Sequence, residues 1–110
     1  MNIQHKKLAS GGWKQLSFFE QMANIGSEVE RALNWQVKHN TEYCRQAFER
    51  ALELIDLTLD NSAIFTRLKE VARLREAIVD YFYGTNQFMS TEASWRKYFL
   101  AFTYAARRGR

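Results

Sequence analysis

The stretch SFFEQMANIGSEVERAL, from Ser17 to Leu33, decides the fold. Ser17 followed by Glu20 is a capping box, in which the hydroxyl and the carboxylate each satisfy a free backbone N–H at a helix start. Phe18, Met22, Ile25, Val29 and Leu33 then recur at intervals of three and four, which puts them on one helical face. Ala23 and Gly26 lie beside that face and leave room for a neighbouring helix. The pattern predicts helix one over about residues 18–38, closed by His39-Asn40.

The same signals repeat downstream. Asn40 or Thr41 caps a second helix, with Glu42 in the first turn, where the helix dipole favours negative charge. Cys44, Phe48, Ala51, Leu52, Ile55 and Leu59 form its inward face, and Asp60-Asn61-Ser62 ends it. Helix three is expected over about residues 64–83, with Leu68, Val71, Ala72, Ile78, Val79 and Phe82 inward and Gly84 as a left-handed cap. Ser90 or Thr91 starts helix four, whose stripe is Trp95, Tyr98, Phe99, Phe102, Ala105 and Ala106. Four helices with short connections predict an all-α, antiparallel up-and-down four-helix bundle over residues 17–107. Residues 1–16, broken by Gly11-Gly12, read as a flexible or loosely docked arm whose Trp13 and Leu16 fold back onto the body. Residues 108–110 read as a basic tail.

Composition agrees. A chain of 110 residues, 46% hydrophobic and 15% aromatic, suits one globular domain and is short for two. The absence of proline favours long helices over many turns. The net charge of +4 comes from the ends: removing Lys6, Lys7, Arg107, Arg108 and Arg110 from 16 Lys and Arg leaves 11 against 12 Asp and Glu. Those terminal cations are the candidate contacts to nucleic acid, or else solvated tails. One cysteine, Cys44, excludes an internal disulfide and a Cys-based metal cluster, and fits a reducing, cytoplasmic setting. No apolar run approaches the ~20 residues of a membrane span, and the start of the chain lacks a signal-type apolar core.

Two clusters carry candidate chemistry. Arg75 falls in the middle of the face expected for helix three, where a charge needs a partner. Glu28, Glu49, Glu53 and Asp56 are the candidates, either as an ion pair fixing helix register or as the wall of a ligand pocket. Glu49, Glu53 and Asp56 share one flank of helix two, and Glu76 and Asp80 one flank of helix three. Facing each other, they would offer oxygen ligands to Mg²⁺. Read structurally, they are solvated flanks with Arg45–Glu49 and Lys69–Arg73–Glu76 partners. No Glu-x-x-His for a di-iron bundle, no Ser-His-Asp set and no phosphate loop is present.

The runs Phe18–Ala32, Ala47–Thr58, Leu74–Phe82, Trp95–Phe99 and Tyr104–Arg107 together resemble a family of small prokaryotic all-α proteins with no established activity. The likeness covers residues 13–107 and implies no catalytic residues. More distantly, the organisation is similar to HEPN domains and to the helical bundles that accompany nucleotidyltransferases. HEPN ribonucleases place an Arg four to six residues before a His, whereas here Arg31 and His39 have seven residues between them.

Three function classes follow. The first is a non-enzymatic interaction or assembly protein that self-associates, as a homodimer or with a further protein partner. Its evidence is the apolar residues off the main stripes: Leu54 and Leu57 on helix two, and Leu100 and Tyr104 on helix four, with Leu74 and Tyr81. The runner-up explanation covers them with residues 1–16, anchored by Trp13. The second class binds nucleic acid through the basic ends. The third is a Mg²⁺-dependent nucleotide hydrolase built on the helix-two and helix-three carboxylates.

Overall fold

A computed structural model describes residues 11–108. After a single 3-10 turn, Gly12–Gln15, the chain forms α1 (Phe18–Val37), α2 (Thr41–Asn61), α3 (Phe65–Tyr83) and α4 (Glu92–Arg108), and the described residues contain no strand. The result is an all-α four-helix bundle. Ser17 starts α1 as a full capping box: its N–H donates to Glu20 Oε1 at 2.9 Å, and the Glu20 N–H donates to Ser17 Oγ at 3.1 Å. Asn40 caps α2 by accepting the Tyr43 N–H at 3.0 Å. Thr91 accepts the Ser94 N–H at 3.0 Å as α4 begins.

The helix α1 is the spine. It packs on α2 along one flank and on α4 along the other, while α3 packs on α2. An inner helix with two neighbours needs a wide apolar face, and α1 buries Met22, Ile25, Gly26, Val29, Ala32 and Leu33. Gly26 sets the α1–α4 distance. A Cβ added there would stand 2.7 Å from Phe99 Cβ, so only glycine permits the contact.

Trp13 is fully buried. Its indole N–H donates to Thr58 Oγ1 at 3.0 Å, and its carbonyl accepts from Gln21 Nε2 at 2.9 Å, so the turn is fastened to both α1 and α2. Thr58 in turn donates to the Leu54 carbonyl at 2.8 Å. The fold-back expected of Trp13 is thus a core contact.

Three sequence expectations are corrected. Leu54, expected to face away from the core, is only 2% exposed, and Leu57 packs half-buried against the core. With α1 and α3 both packed on α2, that helix has two inward flanks rather than one. The inward face of α3 runs through Val71, Leu74 and Ile78, while Ala72 is exposed. The larger side chains win the interior, and the helix turns on its axis accordingly. Gly84 does close α3, but at φ −100° rather than in the left-handed region. Glycine is required there because a Cβ would lie 2.9 Å from the Asp80 carbonyl oxygen. Among the described residues the positive φ angles fall instead on Gly11, His39, Asn86 and Met89.

Gly26→Ala tests the spine. Alanine gains up to about 1 kcal/mol in intrinsic helix preference. Overlap with the root of the Phe99 ring nevertheless makes the variant less stable, by about 1–3 kcal/mol. Urea denaturation reads the sign directly.

Candidate functional site

The buried charged residues of this bundle include Glu28 and Glu53, and not Arg75. Glu28 is 6% exposed, and its two oxygens accept from Arg31 at 3.1 Å and from Arg50 at 3.0 Å. Arg50 reaches it from α2, so the pair ties α1 to α2. Arg75 bonds to Asp56, Nε to Oδ1 at 2.9 Å, which is one of the partners considered from sequence. The expectation that it is buried fails: both side chains are more than two-fifths exposed. With Leu74 turned inward, Arg75 is carried to the flank facing α2. An exposed pair of this kind contributes about 0–1 kcal/mol.

The five carboxylates read as a candidate Mg²⁺ site do not converge. Glu49 accepts from Arg45 at 2.6 Å, and Asp56 is taken by Arg75. Glu53 is buried in α2, while Glu76 is exposed on α3. Asp80 holds the α3–α4 connection, accepting the Gln87 and Phe88 N–H groups at 2.9 and 3.0 Å. Among the described residues no three His, Cys, Asp or Glu side chains gather to hold a metal ion. Of the HEPN-like pair, Arg31 is engaged by Glu28, and His39 lies beyond the end of α1 at φ 60°.

Two of the exposed large apolar side chains lie on α4. Its inner stripe is a continuous aromatic stack, Trp95 on Phe99 and Tyr98 edge-on to both Phe99 and Phe102. Its outer face leaves Leu100 66% and Tyr104 62% exposed, as the sequence reading expected of them. Arg108 lies over the Tyr104 ring, 5.8 Å from its centroid, and Arg107 is exposed beside it. Lys6, Lys7 and Arg110 lie outside the described residues.

Clefts flank α4 on both sides. One, of about 330 Å³, runs between α1 and α4 over Ala23, Gly26 and Ser27, with Leu100 and Thr103 opposite. Arg96 spans its rim, bonded to Glu30, Asn34 and Glu92. The other, of about 640 Å³, lies between α3 and α4. Tyr98 crosses this second cleft and donates its hydroxyl to Glu70 Oε2 at 3.0 Å. Burial, reinforced by the Glu70 charge, pushes the Tyr98 phenol well above its ordinary value. Sequence reasoning missed this groove, because Tyr98, Leu74 and Glu70 meet only once the register of α3 is known.

No protein family, no curated protein and no solved structure matches this chain. No helix among the described residues is long and apolar enough to cross a membrane.

Burial of the Tyr98 phenol beside Glu70 makes stability fall at alkaline pH. The folded protein holds the phenol proton more tightly than the unfolded chain does. The contribution is therefore complete below about pH 10, the ordinary tyrosine value, and is lost as pH rises through the higher folded value. Thermal melts across that range should show stability falling, and Tyr98→Phe should remove this part of the fall.

Proposed function

We propose that the protein is a non-enzymatic interaction and assembly module that self-associates through the outer face of α4. The observation that supports this reading is the pair Leu100 and Tyr104, two large apolar side chains one turn apart and mostly exposed. Such patches on small proteins mark interfaces. A two-fold homodimer brings the patch against its own copy. With two α4 helices antiparallel and the axis between Leu100 and Ala101, Lys97 falls opposite Tyr104 of the second copy, an ammonium over an aromatic ring. Ala93 and Ala101 are small and exposed on the same side, which allows close approach. Leu54 and Leu57 take no part.

Sedimentation velocity at micromolar concentration tests the reading. The chain should run as a dimer, and Leu100→Glu should shift it to a monomer while leaving the helical circular-dichroism signal intact, since a charge there would be desolvated without a partner. A monomeric mass for the unaltered chain sinks the proposal.

A second reading, binding of nucleic acid, is supported by the cations at the end where α1 and α3 begin and α4 ends. Arg67 lies over the Phe18 ring at 4.8 Å, and Phe18 meets Phe102 at 6.1 Å, so α3 and α4 are joined there. Lys14, Arg107 and Arg108 extend the same end, and none has a carboxylate partner among the described residues. Binding of a labelled single-stranded oligonucleotide should then weaken steeply with salt, and Arg107→Ala should lower the salt slope by about one. Salt-independent binding, or none, removes this reading.

A further inference from the structure

The groove between α3 and α4 arises because α3 packs along α2 and α4 along α1, while the two outer helices meet through side chains, Tyr98 on Glu70 and Trp95 edge-on to Tyr81. Its floor is apolar: Leu74 is 4% and Trp95 6% exposed, with Ala77 and Tyr98 beside them. Phe88 closes one end and is 58% exposed. The backbone that carries it is held in place. Asp80 grips the backbone N–H groups of Gln87 and Phe88, and Asn86 bonds in both directions with Ser90. A volume of about 640 Å³ falls within the range of small-molecule sites.

The polar groups of the groove are unevenly committed. Glu70 already accepts the Tyr98 hydroxyl. Lys69 and Arg73, one turn apart on the α3 wall, have no carboxylate within ion-pair distance among the described residues. Glu76, the remaining acid of the wall, lies toward the Phe88 end. The start of α3 adds positive potential on the Lys69 side, with no acid in its first turn and no side-chain cap at Ile64. Trp95 carries an indole N–H that is buried without a partner, a donor left unused.

From these features we infer that the α3–α4 groove binds a small amphipathic anion, an aromatic or branched apolar body carrying one carboxylate or sulfonate. The apolar body lies on Leu74, Ala77 and Trp95 under Phe88. The anionic group lies at Lys69 and Arg73, away from Glu76. An apolar surface supplies the affinity, and a few placed polar groups fix the orientation. This site is separate from the outer face of α4 and does not depend on self-association.

The probe is 8-anilinonaphthalene-1-sulfonate, compared with its uncharged analogue N-phenyl-1-naphthylamine, against the full chain. The three indole N–H resonances of Trp13, Trp35 and Trp95 give the location. The sulfonate should bind saturably, move the Trp95 resonance, and leave Trp13, which is held by Thr58, in place. It should bind about tenfold more tightly than the neutral dye, a difference of one charge-assisted contact. Arg73→Gln should abolish that preference without altering the melting temperature. Ala77→Trp should fill the groove and stop binding while the free-state Trp13 resonance stays unchanged. Saturation without movement of Trp95, equal affinity for the two dyes, or binding that survives Ala77→Trp would each overturn the inference.

Discussion

The contact between Gly26 and Phe99 is the constraint on which the other packing choices rest. At this point α1 and α4 approach so closely that the glycine hydrogen is the largest group the site accepts. That approach draws the aromatic stack of α4 onto α1, where Phe99 and Trp95 are almost fully covered. It also fixes α1 as an inner helix, with α2 on its other flank. A helix with two partners must be apolar over a wide arc, and the buried set of α1 is accordingly the broadest in the chain. One polar group in that arc, Glu28, is kept because Arg31 and Arg50 satisfy both of its oxygens. A buried carboxylate without them would cost more than the packing around it returns.

Trp13 performs the matching task at one end of the α1–α2 pair. The indole brings a large apolar surface into the core, and its one polar atom is met by Thr58. Thr58 can accept because its own hydrogen is already donated to the Leu54 carbonyl. A hydroxyl, an indole and a backbone carbonyl thus form a short chain with each group satisfied. Trp95 is the contrasting case: equally large and nearly as buried, its N–H is left without a partner. The difference separates a position that serves only stability from one that faces space the bundle does not fill.

Periodicity made the helices, their caps and their order legible, because spacing and capping are local properties. Ser17–Glu20, and the second cap to within Asn40 or Thr41, could be placed without knowing anything about the rest of the chain. The rotation of α3 could not. Arg75 looked central because Leu68, Ala72 and Val79 surround it on a helical wheel. The interior, however, is assigned by the volume available against α2, and Val71, Leu74 and Ile78 fill it better. That choice of face puts Arg75 at the surface, Leu74 in the core, and Glu70 toward Tyr98. Leu54 was misplaced for a related reason, since a stripe count assumes one neighbour per helix and α2 has two. The carboxylate cluster shared the fault: a common flank on a wheel is not a common point in space.

These facts direct attention to α4. It is the shortest of the four helices and fully buries only Trp95 and Phe99. Yet it carries much of the aromatic surface, borders both clefts beside it, and turns Leu100 and Tyr104 outward. Here the connection before it is long, eight residues from Gly84 to Thr91, against three for each of the others. That connection is nonetheless held in one shape by Asp80 and Asn86, and it accepts positive φ at Asn86 and Met89 to do so. A position of positive φ at a non-glycine residue is costly, and surrounding contacts must maintain it. In this bundle those contacts hold the backbone of Phe88 at the mouth of the α3–α4 groove, so the local strain goes into shaping a surface rather than into closing the core.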